Sequence, residues 1–460
     1  MINNIDQLDL GSFLQTIFDK GIYHQTSRDY SDWDMIKMHK VAINPGRSFD
    51  FQLSTSLAPG STQRRDPGRP NKKFPKGFTI AHQEYSAKFK EIQSTIELQG
   101  SVLERASETV EKYADVWATQ AQLSLDGARR VMSAELYQDG TGALGHVSAQ
   151  ATPDGNGDIL VQLKDSNRNA SDNANYGISY AGWFLLDDII LPLNRDGSTA
   201  STLAGAAYLQ VTDIDELNGT VKFRGLDANF AEVNITTAPD ADEVLYRFDQ
   251  EIFVDFGASS TNDFGDVSTP IVGFESLCAD DGRLVHGMTM SGALKGSRVD
   301  ALGQSIDVKF IEKALNLGKR RVGPDAKDWK SMRTSYQTRS ALIESKEADR
   351  RFVAVTDNTR GSAEFNYVHG KSQLRLTTSE FVPEDVIWML PEEKGTGEKV
   401  MCYVGDEMKV AKYGNMADFH YKRDGDGNTL DVVEQYLRGN NLLLCKHPAS
   451  VISIVNFKNQ

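Results

Sequence analysis

Cysteine is almost missing from this chain. Cys278, Cys402 and Cys445 are the only three in 460 residues, far apart and odd in number. That argues against a disulfide framework and suits a reducing compartment. Histidine is scarce as well, with eight scattered residues. There is no His-Glu-x-x-His pair and no Gly-x-Ser-x-Gly nucleophile turn. Cys445 and His447 form a lone pair, whereas a zinc site needs about four ligands. Gly370-Lys371-Ser372 matches the end of a phosphate loop, but Phe365 stands where that pattern requires glycine. Asp424, Asp426 and Asn428 begin like a calcium loop. Thr429 then replaces the required glycine and Gln435 the bidentate glutamate, so a hairpin turn is expected there. No cofactor and no metal are expected. No apolar run is long enough to span a bilayer, and the acidic start, Met1 to Leu10, is no basic-then-apolar leader. Positive charge is also short: the net charge is -14. A free-standing nucleic-acid binder is usually basic, so a broad grip on DNA is not expected. An acidic surface would keep a densely packed protein from sticking to nucleic acid.

What is present is patterning. From Val102 to Leu136 apolar residues recur at helical spacing: Leu103, Ala106, Val110, Tyr113, Trp117, Ala121, Leu125, Ala128, Met132 and Leu136. One stripe over about ten turns makes a helix about 50 Å long. Ser101 and Glu104 can form a capping box at its start, and Asp139-Gly140 is expected to break it. Gly140, Gly142 and Gly145 match the dinucleotide fingerprint letter for letter. That fingerprint needs a strand before it and a helix after it, and here the order is inverted, so a glycine-rich helix exit is expected instead.

Residues 41 to 100 alternate as two strands. Phe49, Phe51 and Leu53 lie on the first, and Tyr85, Ala87, Phe89, Ile96 and Leu98 on the second. The connection between them exceeds about 12 residues, a length that is usually functional or disordered. It carries Arg64, Arg65, Arg69, Lys72, Lys73 and Lys76 against Asp66 alone. A solvated loop, a phosphate-binding arm and an intersubunit contact all fit such a tip. Pro59, Pro67, Pro70 and Pro75 limit its freedom. Residues 150 to 260 read as short strands, with Asn218-Gly219 marking a hairpin. Ser305 or Asp307 can cap a helix carrying Phe310, Ile311, Ala314 and Leu315, and Trp329, Met332, Tyr336 and Ile343 mark the next. Lys319, Arg320 and Arg321 close the first of these, where cations suit the dipole. A further helix is expected around Glu384 to Leu390. A strand buried on both faces is expected from Val451 to Val455.

A long helix ending in Tyr137 to Gly145, a two-stranded excursion before it, helices near residues 305 to 348 and the apolar stretch Tyr436 to Val455 resemble, in that order, the major capsid proteins of tailed bacteriophages of the Hong Kong 97 type. The resemblance implies an α+β fold in six parts. These are an N-terminal arm (1–40), an extended two-stranded loop (41–100), a spine helix (101–145), a β-rich insertion (146–260), peripheral and axial helices (261–350), and an axial domain with the last strands (351–460). It implies a non-enzymatic coat subunit in the virion capsid, assembled in the host cytoplasm. Such a subunit forms pentamers and hexamers that close an icosahedral shell around double-stranded DNA, which it contacts without sequence specificity. The arm would lie on a neighbouring subunit, and the basic loop tip would seek an acidic neighbour. Portal and scaffolding proteins are the expected partners, and no membrane is. Met1 is not what N-terminal maturation cleavage would leave, so a separate scaffold is expected. A cellular encapsulating shell and an α+β hydrolase or transferase with a non-local site are the alternatives.

Overall fold

The computed structural model of the chain describes residues 32, 38–40, 48–54, 82–99, 110–149, 153, 157–164, 179–193, 203, 206–236, 239–241, 243–248, 271–278, 283–322, 329, 331–347, 366–369, 372–390, 400–410, 420–423, 429–445 and 448–458. Four α-helices lie among them: α1 (Val110–Glu135), α2 (Phe274–Cys278), α3 (Val308–Val322) and α4 (Tyr336–Glu347).

The paired strands at 41–100 form as expected. Ser48–Ser54 runs antiparallel to His82–Lys88, in register from Ser48 opposite Lys88 to Ser54 opposite His82. The chain then continues past Phe89 into Lys90–Gln99, which joins a second, five-stranded sheet. Its partner there is the 17-residue strand Thr429–Cys445. That strand also pairs with His420–Arg423, so the 424–428 segment joins two antiparallel strands, as a hairpin does. α1 packs against Lys90–Gln99. Along α1 burial rises from the exposed Gln122 to the buried Ala128 and Met132. The proposed cap at Ser101 and Glu104 lies outside the described residues.

A seven-stranded sheet follows α1. Its order is Glu232–Val233, Thr220–Leu226, Tyr208–Asp215, Ile189–Leu193, Val244–Arg247, Ala143–His146, with Ile159–Gln162 added beside Thr220–Leu226. The Asn218-Gly219 hairpin is there, joining Tyr208–Asp215 to Thr220–Leu226, and Gly219 takes φ 63°. Such a φ suits glycine, which has no Cβ to clash. The apolar run at 183–186 is not a strand. It begins as a 3-10 turn, Ala181–Trp183, whose indole donates to Phe381 O at 2.9 Å.

The six-stranded sheet has the order Ser297–Asp300, Ile452–Val455, Val386–Leu390, Ser331–Thr334, Ser372–Thr378, Asn366–His369. α3 lies on its Ser297–Asp300 and Ile452–Val455 strands, and α4 beside Ser372–Thr378. Between this sheet and the helices sits one core, with Ile311, Leu315, Trp329, Met332 and Ile454. A larger core joins the end of α1 to the other two sheets.

Three expectations are corrected here. Glu384 to Leu390 is not helical: Val386–Leu390 is a central strand between Ser331–Thr334 and Ile452–Val455. A five-residue apolar run covered on both faces has no periodicity that separates strand from helix. Trp329 and Met332 precede α4 instead of belonging to it, and Met332 lies on a strand. The long helix stops at Glu135, before Asp139-Gly140. Tyr137 N and Gln138 N bond back to Ala134 O and Glu135 O, tightening the last turn. Phe274 N takes Leu136 O at 2.7 Å, so a distant segment satisfies a carbonyl that a continuing helix would have used. The last expected strand, Ile452–Val455, is buried throughout.

Candidate assembly surfaces around the long helix

The exit from α1 is a buried joint. The Asp139 carboxylate accepts Thr141 N at 3.0 Å and Thr141 Oγ1 at 2.5 Å, and Thr141 Oγ1 accepts Ala143 N at 3.3 Å. Gly140 and Gly142 adopt φ 79° and 82°, a region open to glycine and costly for other residues. A Cβ on Gly140 would lie 3.3 Å from Val272 Cα. Ser276 Oγ donates to Asp139 O, and Arg283 Nη1 stands 3.9 Å from Asp139 Oδ2. Gly145 is already part of the Ala143–His146 strand. A strand, not a helix, follows the glycines, so no helix N-terminus is present for a pyrophosphate.

Ionisable groups meet under this joint. Burial pushes the Glu135 carboxyl up to about 7, against the pull of Arg247, the Ile271 N–H and Lys90. Arg247 is held by Asp188 at 2.9 Å and by Trp183 O at 2.7 Å. Burial, with Lys90 beside it, brings His286 down to about 4. Asp32 is the one described residue of 1–37. It is buried and paired with Arg333 of the six-stranded sheet, and its carboxylate also meets Tyr137. At this point the N-terminal segment packs on its own subunit.

An acidic surface flanks α1. Glu216 comes from the hairpin of the seven-stranded sheet. Glu380, Glu384 and Asp385 come from the turn before Val386–Leu390. Arg130 of α1 lies 3.6 Å from Glu380, with its guanidinium 5.7 Å from the Phe381 ring. Tyr180 OH donates to Glu380 O at 3.1 Å. Desolvation and then the neighbouring carboxylates raise Glu216 and Glu384 above the usual range. Leu217, next to Glu216 at the hairpin tip, is 77% exposed.

The loop-tip residues Arg64, Arg65, Arg69, Lys72, Lys73 and Lys76 lie outside the described residues; the ribbon that carries them is described. Asp139, Gly140, Gly142 and Gly145 are gathered at the joint. The acidic surface was not found from sequence. Its four carboxylates come from segments about 165 residues apart, and only the hairpin at Asn218-Gly219 signalled that an exposed tip exists. Among the described residues no group of three or more His, Cys, Asp or Glu is placed to hold a metal ion.

No family model matches the sequence, and no curated protein matches it. Solved structures do. The capsid subunit of cyanophage A-1(L) is 9% identical with a TM-score of 0.51, over 97% of this chain and 99% of that one. The capsid of an empty GTA particle is 10% identical with a TM-score of 0.45, over 97% of each chain. An encapsulin complex from Synechococcus elongatus is 8% identical with a TM-score of 0.43, over 98% of this chain and 95% of that one. The assignment rests on the cyanophage subunit. Over nearly its whole length, this chain has the α+β capsid fold of the Hong Kong 97 type.

Proposed function

We propose that the chain is a major capsid protein. It assembles into pentamers and hexamers that close an icosahedral shell around double-stranded DNA, with no catalytic step. One observation carries this reading: the fold is shared with a phage capsid subunit from end to end, with 97% and 99% of the two chains aligned. Heterologous contacts of this kind close only at the level of the particle. The most strongly shifted groups, Glu135, His286 and Cys278, are buried in packing joints, as suits a structural role. Portal and scaffolding proteins are the proposed partners, and the virion capsid, assembled in the host cytoplasm, the proposed location.

Within that shell the basic segment at 64–76 reaches a neighbouring copy. Glu216, Glu380, Glu384 and Asp385 offer the complementary charge. Such pairing sets register and partner choice more than affinity. Negative-stain electron microscopy of the purified chain over a concentration range tests the main reading. Hollow shells, tubes or ring-shaped capsomers support it, and a strict monomer, with and without host lysate, overturns it. Nuclease-protected DNA inside the particles separates a virus shell from a compartment that encloses an enzyme. Reversing Arg64, Arg65 and Arg69 to Glu lowers particle yield without unfolding the subunit. Reversing Glu216 and Glu384 to Lys in the same chain restores it. Full yield from the arginine variant alone refutes the contact.

A further inference from the structure

α3 ends in Lys319, Arg320 and Arg321. The last of these does not turn back on its own helix. Arg321 Nη1 donates to Gly296 O at 2.6 Å and to Ser297 Oγ at 3.2 Å, and Nη2 donates to Gly292 O. Those bonds pin a guanidinium against the link that precedes the Ser297–Asp300 strand, and Lys295 lies in that link. From the other side comes Arg298, nearly buried and tied to Glu275 of α2. Lys295 therefore stands between two guanidinium groups. Burial first, and then repulsion from Arg321 and Arg298, hold its ammonium below the usual lysine range. Arg320 and Arg321 are exposed, as are Ser291 and Gly292, and a Cβ on Gly292 would meet nothing within 4 Å. The corner is open on its outer side.

Gathering like charges is unfavourable unless an anion shares them. This happens in a chain whose net charge is -14, so positive charge is concentrated locally where the average surface is acidic. The backbone bonds of Arg321 hold the arrangement in place before any ligand arrives, and guanidinium and ammonium groups are the side chains that receive phosphate oxygens. We propose that the corner formed by Lys295, Arg320 and Arg321 is a phosphate-binding surface that contacts the phosphodiester backbone of the DNA enclosed by the shell. The choice of DNA as the source of phosphate rests on the capsid reading; the site itself does not. Contacts to backbone phosphates carry no sequence information, as a shell that encloses a whole genome requires.

The test uses the full chain and a fluorescein-labelled DNA duplex, with anisotropy followed over a series of salt concentrations. The variant is Lys295→Gln with Arg320→Gln; Arg321 is left in place because it ties α3 to the sheet. The expected result is a loss of affinity on the order of tenfold. The slope of log K against log salt should shrink by about 2, since each cation contributes about 0.9. An unchanged melting temperature of the variant shows that the fold is intact. Inorganic phosphate alone is the second probe. If it competes only at salt concentrations that weaken the duplex equally, the polymer backbone is the ligand; stoichiometric competition at low concentration makes free phosphate the ligand and overturns the DNA assignment. Arg64→Gln with Arg65→Gln and Arg69→Gln is the parallel control. Equal binding by wild type and the Lys295/Arg320 variant overturns the proposal, as does a loss confined to the loop control or no binding by wild type. Microscopy of the same preparations keeps the two readings apart. Particles without duplex binding sink the phosphate site and spare the capsid reading; duplex binding without particles does the reverse.

Discussion

His286 allows a quantitative test of how the joint under α1 is held. It sits with Gly287 in the two-residue turn between Leu284–Val285 and Met288–Thr289, with φ 52° and 76°. Its ring is 4% exposed. It bonds to the backbone of Leu443 in the five-stranded sheet and faces Lys90 of the neighbouring strand. Burial, with Lys90 assisting, takes it from 6.5 to about 4. That difference corresponds to about 3 kcal/mol, at about 1.4 kcal/mol per pH unit. The folded state resists the proton that the unfolded chain accepts. The contribution is therefore whole above pH 6.5 and is lost as pH falls from 6.5 to about 4. His286→Asn removes the titration and keeps a side chain that tolerates positive φ. Wild type and variant are unfolded in urea in parallel at a series of pH values, followed by tryptophan fluorescence. The stability of wild type relative to the variant should be constant above neutrality and fall by about 3 kcal/mol by pH 4. Glu135 titrates in both proteins and cancels in the difference. A flat difference across that range would refute a buried neutral imidazole.

Glu135 should act in the opposite sense. Its folded value of about 7 lies above 4.5, so its contribution is present below 4.5 and lost as pH rises through about 7. Glu135→Gln should flatten the alkaline limb of the urea profile, and an unchanged limb would rule out a protonated carboxyl. Asp32→Ala leaves Arg333 charged in the core and should lower stability by about 3–5 kcal/mol, whereas Asp32→Ala with Arg333→Met should recover most of it in the same urea assay. The glycines of α1 and its exit should separate by sign. Gly127 has nothing within 4 Å of a new Cβ, so Gly127→Ala should stabilise by about 0.5–1 kcal/mol. Gly140→Ala forces a methyl toward Val272 at positive φ and should cost about 1–3 kcal/mol, read as opposite shifts in melting temperature.

Several elements were legible because one local pattern decides each of them. Alternation at 48–54 and 82–88 made a two-stranded ribbon, the helical stripe made α1, Asn218-Gly219 made a hairpin, and the apolar run at 452–455 made a buried strand. The order of these elements along the chain was enough to suggest the capsid fold. Tertiary structure decided the rest. Val386–Leu390 became a strand because two neighbouring strands were waiting for it. α1 ended at Glu135 because the 271–274 segment crosses its last turn, where a Cβ on Gly273 would collide with the carbonyl oxygens of Glu135, Leu136 and Gln138. The pairing of Asp32 with Arg333, the acidic surface at Glu216 and Glu384, and the cations around Lys295 join residues from 3 to 301 positions apart. Periodicity reports which face of an element is buried. It carries no information about which distant face will cover it, and the charge neighbourhoods that give a surface its partners arise only once those faces have met.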